Sequence, residues 1–229
     1  MINFQTARKL YAVSKEDFGL WVIAFVATSV LGVTWGIAVS IAASVILLVK
    51  FQARPATRIL GKLPNTSVYV DVKQFPQAVE LDGIKIFSFE ACLHFVNKDH
   101  FEAKIKKMES RAKTPIDAVI IDCASVNKID FTCMKMLVRL ATRYKAMNIK
   151  LLFANWTGMS TMDKIIEGME LYKEIDEGNF FLTIDGAVDC AVEGRDTKRE
   201  NSEDTEDEEQ GNGECEREMV NKVESDNRL

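Results

Sequence analysis

The sequence predicts a membrane-anchored α/β protein in three unlike parts. A short transmembrane helical hairpin comes first, then a domain in which helices cover a central β-sheet, then a disordered acidic tail. Three observations carry that division. Residues 18–49 contain no Asp, Glu, Lys, Arg or His; residues 65–192 alternate strand-like and helix-like runs; residues 193–229 hold 14 acidic and 6 basic side chains. The whole-chain averages, 47% hydrophobic and 28% charged, match an ordinary soluble protein and conceal the partition.

The apolar run "FGLWVIAFVATSVLGVTWGIAVSIAASVILLV" exceeds the ~18 residues that mark a membrane helix. One continuous helix of 32 residues would measure about 48 Å and need roughly 50° of tilt to fit about 30 Å of hydrocarbon. Helices rarely tilt beyond about 40°. The run is therefore expected to split near "LGVTWG" into two short helices, each too short to cross lipid alone and needing protein around it. Arg8, Lys9 and Lys15 precede it, and Lys50, Arg54, Arg58 and Lys62 follow it. Basic flanks on both sides predict that both ends face the cytosol. A secretory signal is the competing reading, but the run is more than twice an ordinary signal core and ends in basic residues rather than a cleavage site. Residues 1–17 are then a cytosolic lead-in and 50–64 a linker.

In residues 65–192, "SVYVDV", "IKIFSFE", "CLHFVN", "DAVIIDCA", "KLLFANW" and "FFLTI" have the β-branched and aromatic character of strands. "DHFEAKIKKMESRA", "DFTCMKMLVRLATRYKAM", "GMSTMDKIIEGMEL" and "DGAVDCAVE" have helical character. Asp82-Gly83 marks a turn. Alternation of this kind predicts right-handed crossovers onto a shared sheet. "AVIIDC", apolar on successive residues, is the expected central strand, covered on both faces. After it, Cys133, Met136, Leu137, Leu140, Ala141 and Tyr144 form one helical stripe, with Lys135, Arg139, Arg143 and Lys145 outside it.

Where that strand and helix meet, "SVNKIDFTCMKML" concentrates polar chemistry. Asp130 is placed to cap the helix, accepting from amides two or three residues on, worth about 1 kcal/mol. Thr132 sits in the first turn, where a phosphate would meet unpaired N–H groups and the positive end of the dipole; Lys128 and Lys135 add charge. A helix cap, a phosphoswitch and an anion or nucleotide contact are the three readings, and the cap is the ordinary case. Cys133 as a nucleophile lacks a neighbouring base and falls on the buried stripe. The five cysteines, 92, 123, 133, 190 and 215, are odd in number and irregular in spacing. With only His94 and His100, neither a disulfide frame nor a metal site is indicated. No phosphate-binding loop or triad spacing appears, so an enzyme is not expected, and no cofactor or nucleic-acid partner is implied.

The tail carries net −8 within a chain of net −5 and almost no large apolar side chains, so it cannot offset the entropy of ordering. In "NSEDTEDEEQ", Ser202 and Thr205 lie among acidic residues as candidate sites for acid-directed kinases. The ordinary reading is a solvating tail.

Taken in order, these segments resemble the carboxy-terminal part of a sulfate permease (SulP) family anion transporter: its last two membrane helices and cytosolic STAS domain. "SKEDFGLWVIAFVATSVLGVTWGIAVSI" resembles the lead into the penultimate membrane segment and the turn to the last. "RPATRILGKLPNTSVYVDVKQFPQAVELDGIKIFSFEACLHFVN" resembles the linker and first strands of the STAS domain, and "VIIDCASVNKIDFTCMKML" its switch loop and following helix. "KLLFANW" and "FFLTIDGAVDCA" complete it. The resemblance implies a multi-pass plasma-membrane transporter of two inverted repeats, carrying or exchanging sulfate, chloride, bicarbonate or oxalate. It implies a homodimer, with the STAS domain and tail in the cytoplasm serving folding, dimerisation, regulation and contact with cytosolic regulatory proteins.

The family's anion site, formed by broken helices at the bilayer midplane, belongs to upstream segments. A chain starting at Met1 is thus expected to be a truncated or alternative product without transport of its own. A membrane-tethered STAS scaffold is the alternative. In bacterial relatives of the domain, the anti-sigma factor antagonists, a Ser two residues after the loop Asp is phosphorylated to switch partner binding, a position Thr132 occupies here; Cys133 stands where the family usually has Gly. Between Val96 and Asp117 there is room for one helix and not for the long insertion of many animal members.

Overall fold

The computed structural model describes residues 11, 15–156 and 177–196. Within them the apolar run folds as two helices, α1 (Lys15–Leu31) and α2 (Val33–Ala53), separated by one residue. Gly32 has φ 81°, a left-handed backbone that a side chain would oppose, and the helix breaks there. The pair is antiparallel: Lys50 near the end of α2 reaches Glu16 at the start of α1, 3.3 Å away. Contact is closest at Gly36, where a Cβ would lie 2.5 Å from the Thr28 Cα. Small residues let helix backbones approach in this way.

The break falls where "LGVTWG" predicts, but the helices outrun the apolar stretch. Helix α1 begins in the charged Lys15-Glu16-Asp17, with the two acids favourable at a helix start, and α2 continues past Lys50 to Ala53. At 21 residues and about 1.5 Å per residue, α2 is about 31 Å long, with a mean hydropathy of 2.0. The expectation that neither helix could cross lipid alone therefore fails for α2, which is long and apolar enough to cross a membrane.

The sheet begins inside the stretch read as a linker. Strand β1 (Thr57–Lys62) pairs antiparallel with β2 (Tyr69–Asp71) and with β3 (Ile84–Phe89). Strand β3 runs parallel to β4 (Ala118–Asp122), and β4 parallel to β5 (Lys150–Ala154), giving the order β2-β1-β3-β4-β5. "TRILGK" has too little alternation and too many polar residues to be read as a strand alone; pairing on both sides fixes it. The "AVIIDC" strand, β4, is buried at all five positions, although the middle place belongs to β3.

Helices cover both faces. Helices α3 (Lys98–Glu109) and α4 (Phe131–Ala146) pack over Phe87, Phe89, Val119, Ile121 and Phe153. A fifth helix, α5, occupies residues 184–196; its Ala187, Val188 and Ala191 lie on the other face, against Ile84, Ile86, Ile120 and Leu152. The period of two along each strand divides Ile86 from Phe87 and Ile120 from Ile121. All six stripe residues of α4 are buried, Cys133 and Tyr144 completely. Full burial contributes about 1.5–3 kcal/mol for each large aliphatic or aromatic side chain.

Two expected strands are not strands. In "CLHFVN" only Leu93 makes a bridge, to Ile129, because side chains capture the backbone around it. In "FFLTI" only Phe180 pairs, with Phe153; Thr183 then accepts from the Gly186 amide at 3.1 Å and starts α5. The helix expected at "GMSTMDKIIEGMEL", and Ser202, Thr205 and Cys215, lie outside the described residues, as does the tail beyond Asp196. Helix α5 itself runs past Val192, where the domain was expected to end.

Replacing Gly36 tests the hairpin. Gly36→Val inserts a branched side chain against the Thr28 backbone and should cost roughly 1–3 kcal/mol of overpacking. Thermal denaturation of the detergent-solubilised chain should show the loss, with Gly36→Ala milder than Gly36→Val.

Candidate functional site

The loop into α4 meets the end of α2, and Asp130 is its hub. With φ −88° and ψ 166° it precedes the helix in extended conformation, and its Oδ1 accepts from the Cys133 amide at 2.8 Å. Its Oδ2 accepts from the Phe95 amide at 2.6 Å. Between these two bonds the backbone zips as well: the Asp130 amide donates to Leu93 O and the Leu93 amide to Lys128 O. One carboxylate thus joins the start of α4 to the turn before α3.

Asn97 continues the connection toward the membrane helix. Its side chain is buried; Oδ1 accepts from the His94 amide at 3.0 Å, and Nδ2 donates to Cys92 O at 2.9 Å and Gln52 O at 3.4 Å. Gln52 lies in the last turn of α2. Beside this bond an open cavity of about 400 Å³ is lined by Leu48, Val49, Gln52, His94, Phe95, Val96 and Asp130. Phe95 at its rim is 65% exposed, and Phe131 at the first position of α4 is 58% exposed, with Lys135 Nζ 4.5 Å from its ring. The seam therefore presents aromatic surface on the side of the domain nearest α2.

Burial would raise the Asp130 pKa, but the amides of Cys133 and Phe95 outweigh it and the carboxyl stays below its ordinary range. Burial, and then the bond to Asp130, push the Cys133 thiol up to about 12. A thiol so raised is uncharged at neutral pH and a poor nucleophile. Thr132 is exposed in the first turn of α4. The structure brings Asp130 and Cys133 together through a hydrogen bond and leaves the Thr132 side chain toward solvent.

A buried carboxylate, Asp122, escapes sequence reading. Asp122, at the carboxyl end of β4, accepts from Ser88 Oγ at 2.7 Å, Asn155 Nδ2 at 2.7 Å and the Ala124 amide at 3.0 Å. It ties the ends of β3, β4 and β5 at the edge where open α/β sheets commonly hold ligands. Its acceptor positions are filled from within the domain. An acidic residue closing an otherwise apolar strand is the signal in "VIID"; for Asn97 the signal is an Asn directly before a helical run. Among the described residues, no three His, Cys, Asp or Glu side chains gather as a metal ion would require.

A membrane-helix hairpin followed by a mixed sheet, with a capped loop turned toward the hairpin, defines a membrane-linked α/β domain. Residues 75–187 match the STAS domain family. Probable sulfate transporter 3.5 of Arabidopsis thaliana is 28% identical over 191 residues, 82% of this chain and 29% of that protein. Sulfate transporter 4.1, chloroplastic, also of Arabidopsis thaliana, is 30% identical over 164 residues, 68% of this chain and 24% of that protein. The murine Solute Carrier 26 family member A9 anion transporter, in its inward-facing state, superposes with a TM-score of 0.71 and 26% identity, covering 81% of this chain and 30% of that one. The chain belongs to the sulfate permease family, as the counterpart of its carboxy-terminal part: last membrane helices plus STAS domain. It spans less than a third of the length of these relatives.

Removing the hub has a signed pH signature. Asp130→Ala should lower stability by about 2 kcal/mol, the cap plus an orphaned Phe95 amide. Asp130→Asn retains an acceptor and should lose less. Because the folded pKa is lowered, the charge contributes stability above the ordinary carboxylate value of 3.8, and that contribution is lost as pH falls through the folded value. Denaturation of wild type and Asp130→Asn should therefore converge below about pH 4.

Proposed function

We propose that the chain is the carboxy-terminal portion of a secondary active anion transporter of the sulfate, chloride, bicarbonate or oxalate class. In this reading the STAS domain serves folding, homodimerisation and regulation from the cytoplasmic side of the plasma membrane, where cytosolic regulatory proteins reach it. The anion site sits on other membrane segments of the transporter, not on α1 or α2, and the chain is not an enzyme. The observation that supports this reading best is the seam: the last turn of α2 is bonded to the loop between β3 and α3, which Asp130 in turn bonds to α4. A rearrangement of the domain is then felt at a membrane helix within one hydrogen bond. Asp130 serves as the cap that holds the switch loop, with Cys133 as packing. Thr132 is the exposed candidate for modification, and Ser202 and Thr205 are the candidates in the tail.

Anion flux into proteoliposomes tests this reading. The chain alone should give no flux above empty vesicles. Joined to the membrane region of a sulfate permease relative it should give sulfate or chloride flux, and Asn97→Ala should reduce that flux without abolishing it. Flux from the chain alone would contradict the proposal. Its stable recovery with cytosolic partners, and no flux in the joined form, would favour a membrane-tethered scaffold.

A further inference from the structure

The edge of the sheet opposite the seam carries a group of exposed cations. Helices α3, α4 and α5 all end there. The Asp117 amide donates to Gly83 O and the Lys150 amide to Asp117 O, so the starts of β3, β4 and β5 lie side by side at this edge. Lys106, Lys107, Arg111 and Lys113, from the last turn of α3 and the loop after it, are exposed there, with Lys145 from the last turn of α4. None of these five pairs with a carboxylate among the described residues. Of the nearby acids, Glu102 pairs with Arg139 and Glu109 with Arg143 and Tyr144, while Asp82 and Asp117 stand at the strand starts of the same edge. Five exposed cations against two carboxylates leave this region net positive, with a field that reaches about 10 Å at 0.1 M salt.

The chain itself supplies a matching anion at the same edge. Arg195 at the end of α5 donates to Asp82 O at 2.9 Å, immediately before β3, and Lys150 Nζ lies 3.1 Å from Cys190 Sγ. The chain beyond Asp196 therefore starts beside the cationic edge, though from the other face of the sheet. Seven residues further on comes "EDTEDEE", residues 203–209, with six carboxylates in seven positions. Those seven residues can reach about 23 Å, against roughly 20 Å between helix layers on opposite faces of a sheet. A lipid surface does not fit the same cations, because α2 joins the domain at the opposite edge, at Asn97 and Phe95.

We propose that the acidic segment 203–209 docks on the cationic edge formed by Lys106, Lys107, Arg111, Lys113 and Lys145 of the same chain. Ser202 adjoins this segment and Thr205 lies within it, so phosphate on either would add charge of the sign that tightens the contact.

Zero-length crosslinking tests the contact directly. A carbodiimide activates a carboxylate and leaves as a urea when a lysine amine displaces it, forming an amide only between groups already in contact. The full 229-residue chain in detergent micelles, mixed as equal parts ¹⁴N and ¹⁵N protein, is treated and its peptides mapped. Links from residues 203–209 to Lys106, Lys107, Lys113 or Lys145 should be isotopically unmixed and at least about fivefold more abundant than links to Lys128 and Lys135 at the other edge. They should fall at least about fivefold in 1 M NaCl, where the screening length shrinks to about 3 Å. The double variant Lys106→Glu/Lys107→Glu, with native circular dichroism, should lose them likewise. Absence of links, equal yields at the two edges, insensitivity to salt, or isotopically mixed links from a second copy would each overturn the proposal.

Discussion

Two amides from separate segments converge on the carboxylate of Asp130, and the geometry of the seam depends on it. One amide belongs to the first turn of α4, the other to the turn between β3 and α3, so a single charged side chain fixes how two crossover connections enter the sheet. Hydrogen bonds to a charged acceptor contribute more than neutral ones, about 1.5–3 kcal/mol. That strength explains why "CLHFVN" abandons strand geometry despite its apolar character: its amides are engaged by Asp130 and Asn97 rather than by a neighbouring strand. The same turn then carries the bond from Asn97 to Gln52, through which the domain touches the membrane helix.

The two edges of the sheet have opposite characters as a result. At the carboxyl ends of the parallel strands are the buried carboxylate of Asp122, the Asp130 seam and the exposed aromatic rings of Phe95 and Phe131, all on the side where α2 arrives. At the amino ends are the last turns of three helices, of which α3 and α4 carry Lys and Arg that complement the negative ends of their dipoles. Polarity of this kind follows from the fold, since right-handed crossovers on a parallel sheet direct every helix start to one edge and every helix end to the other.

Much of this was legible in the sequence, and the exceptions have physical causes. Helix α4 was readable to within a residue because one buried stripe repeats through it and an Asp precedes it. Strand β4 was readable because burial on both faces makes it almost continuously apolar, and β3 and β5 from their aliphatic and aromatic runs. Strand β1 was hidden, since "TRILGK" owes its conformation to partners on either side rather than to its own residues. The membrane helices were located but their ends were not, because a helix continues through Lys15 and Lys50 when polar heads can sit at the membrane boundary. Asp130 was identifiable as a cap from its place before the stripe. Its second bond to Phe95, and the whole role of Asn97, join positions tens of residues apart and required the tertiary fold.

The bond from Asn97 to Gln52 links α2 to the STAS domain. Hydrogen–deuterium exchange of the solubilised chain, comparing wild type with Asn97→Ala, tests it most directly. Asn97→Ala should exchange faster both in the turn at residues 92–97 and in the last turns of α2, residues 48–53, with β4 and β5 unchanged. Faster exchange confined to residues 92–97, with the end of α2 as protected as before, would contradict it.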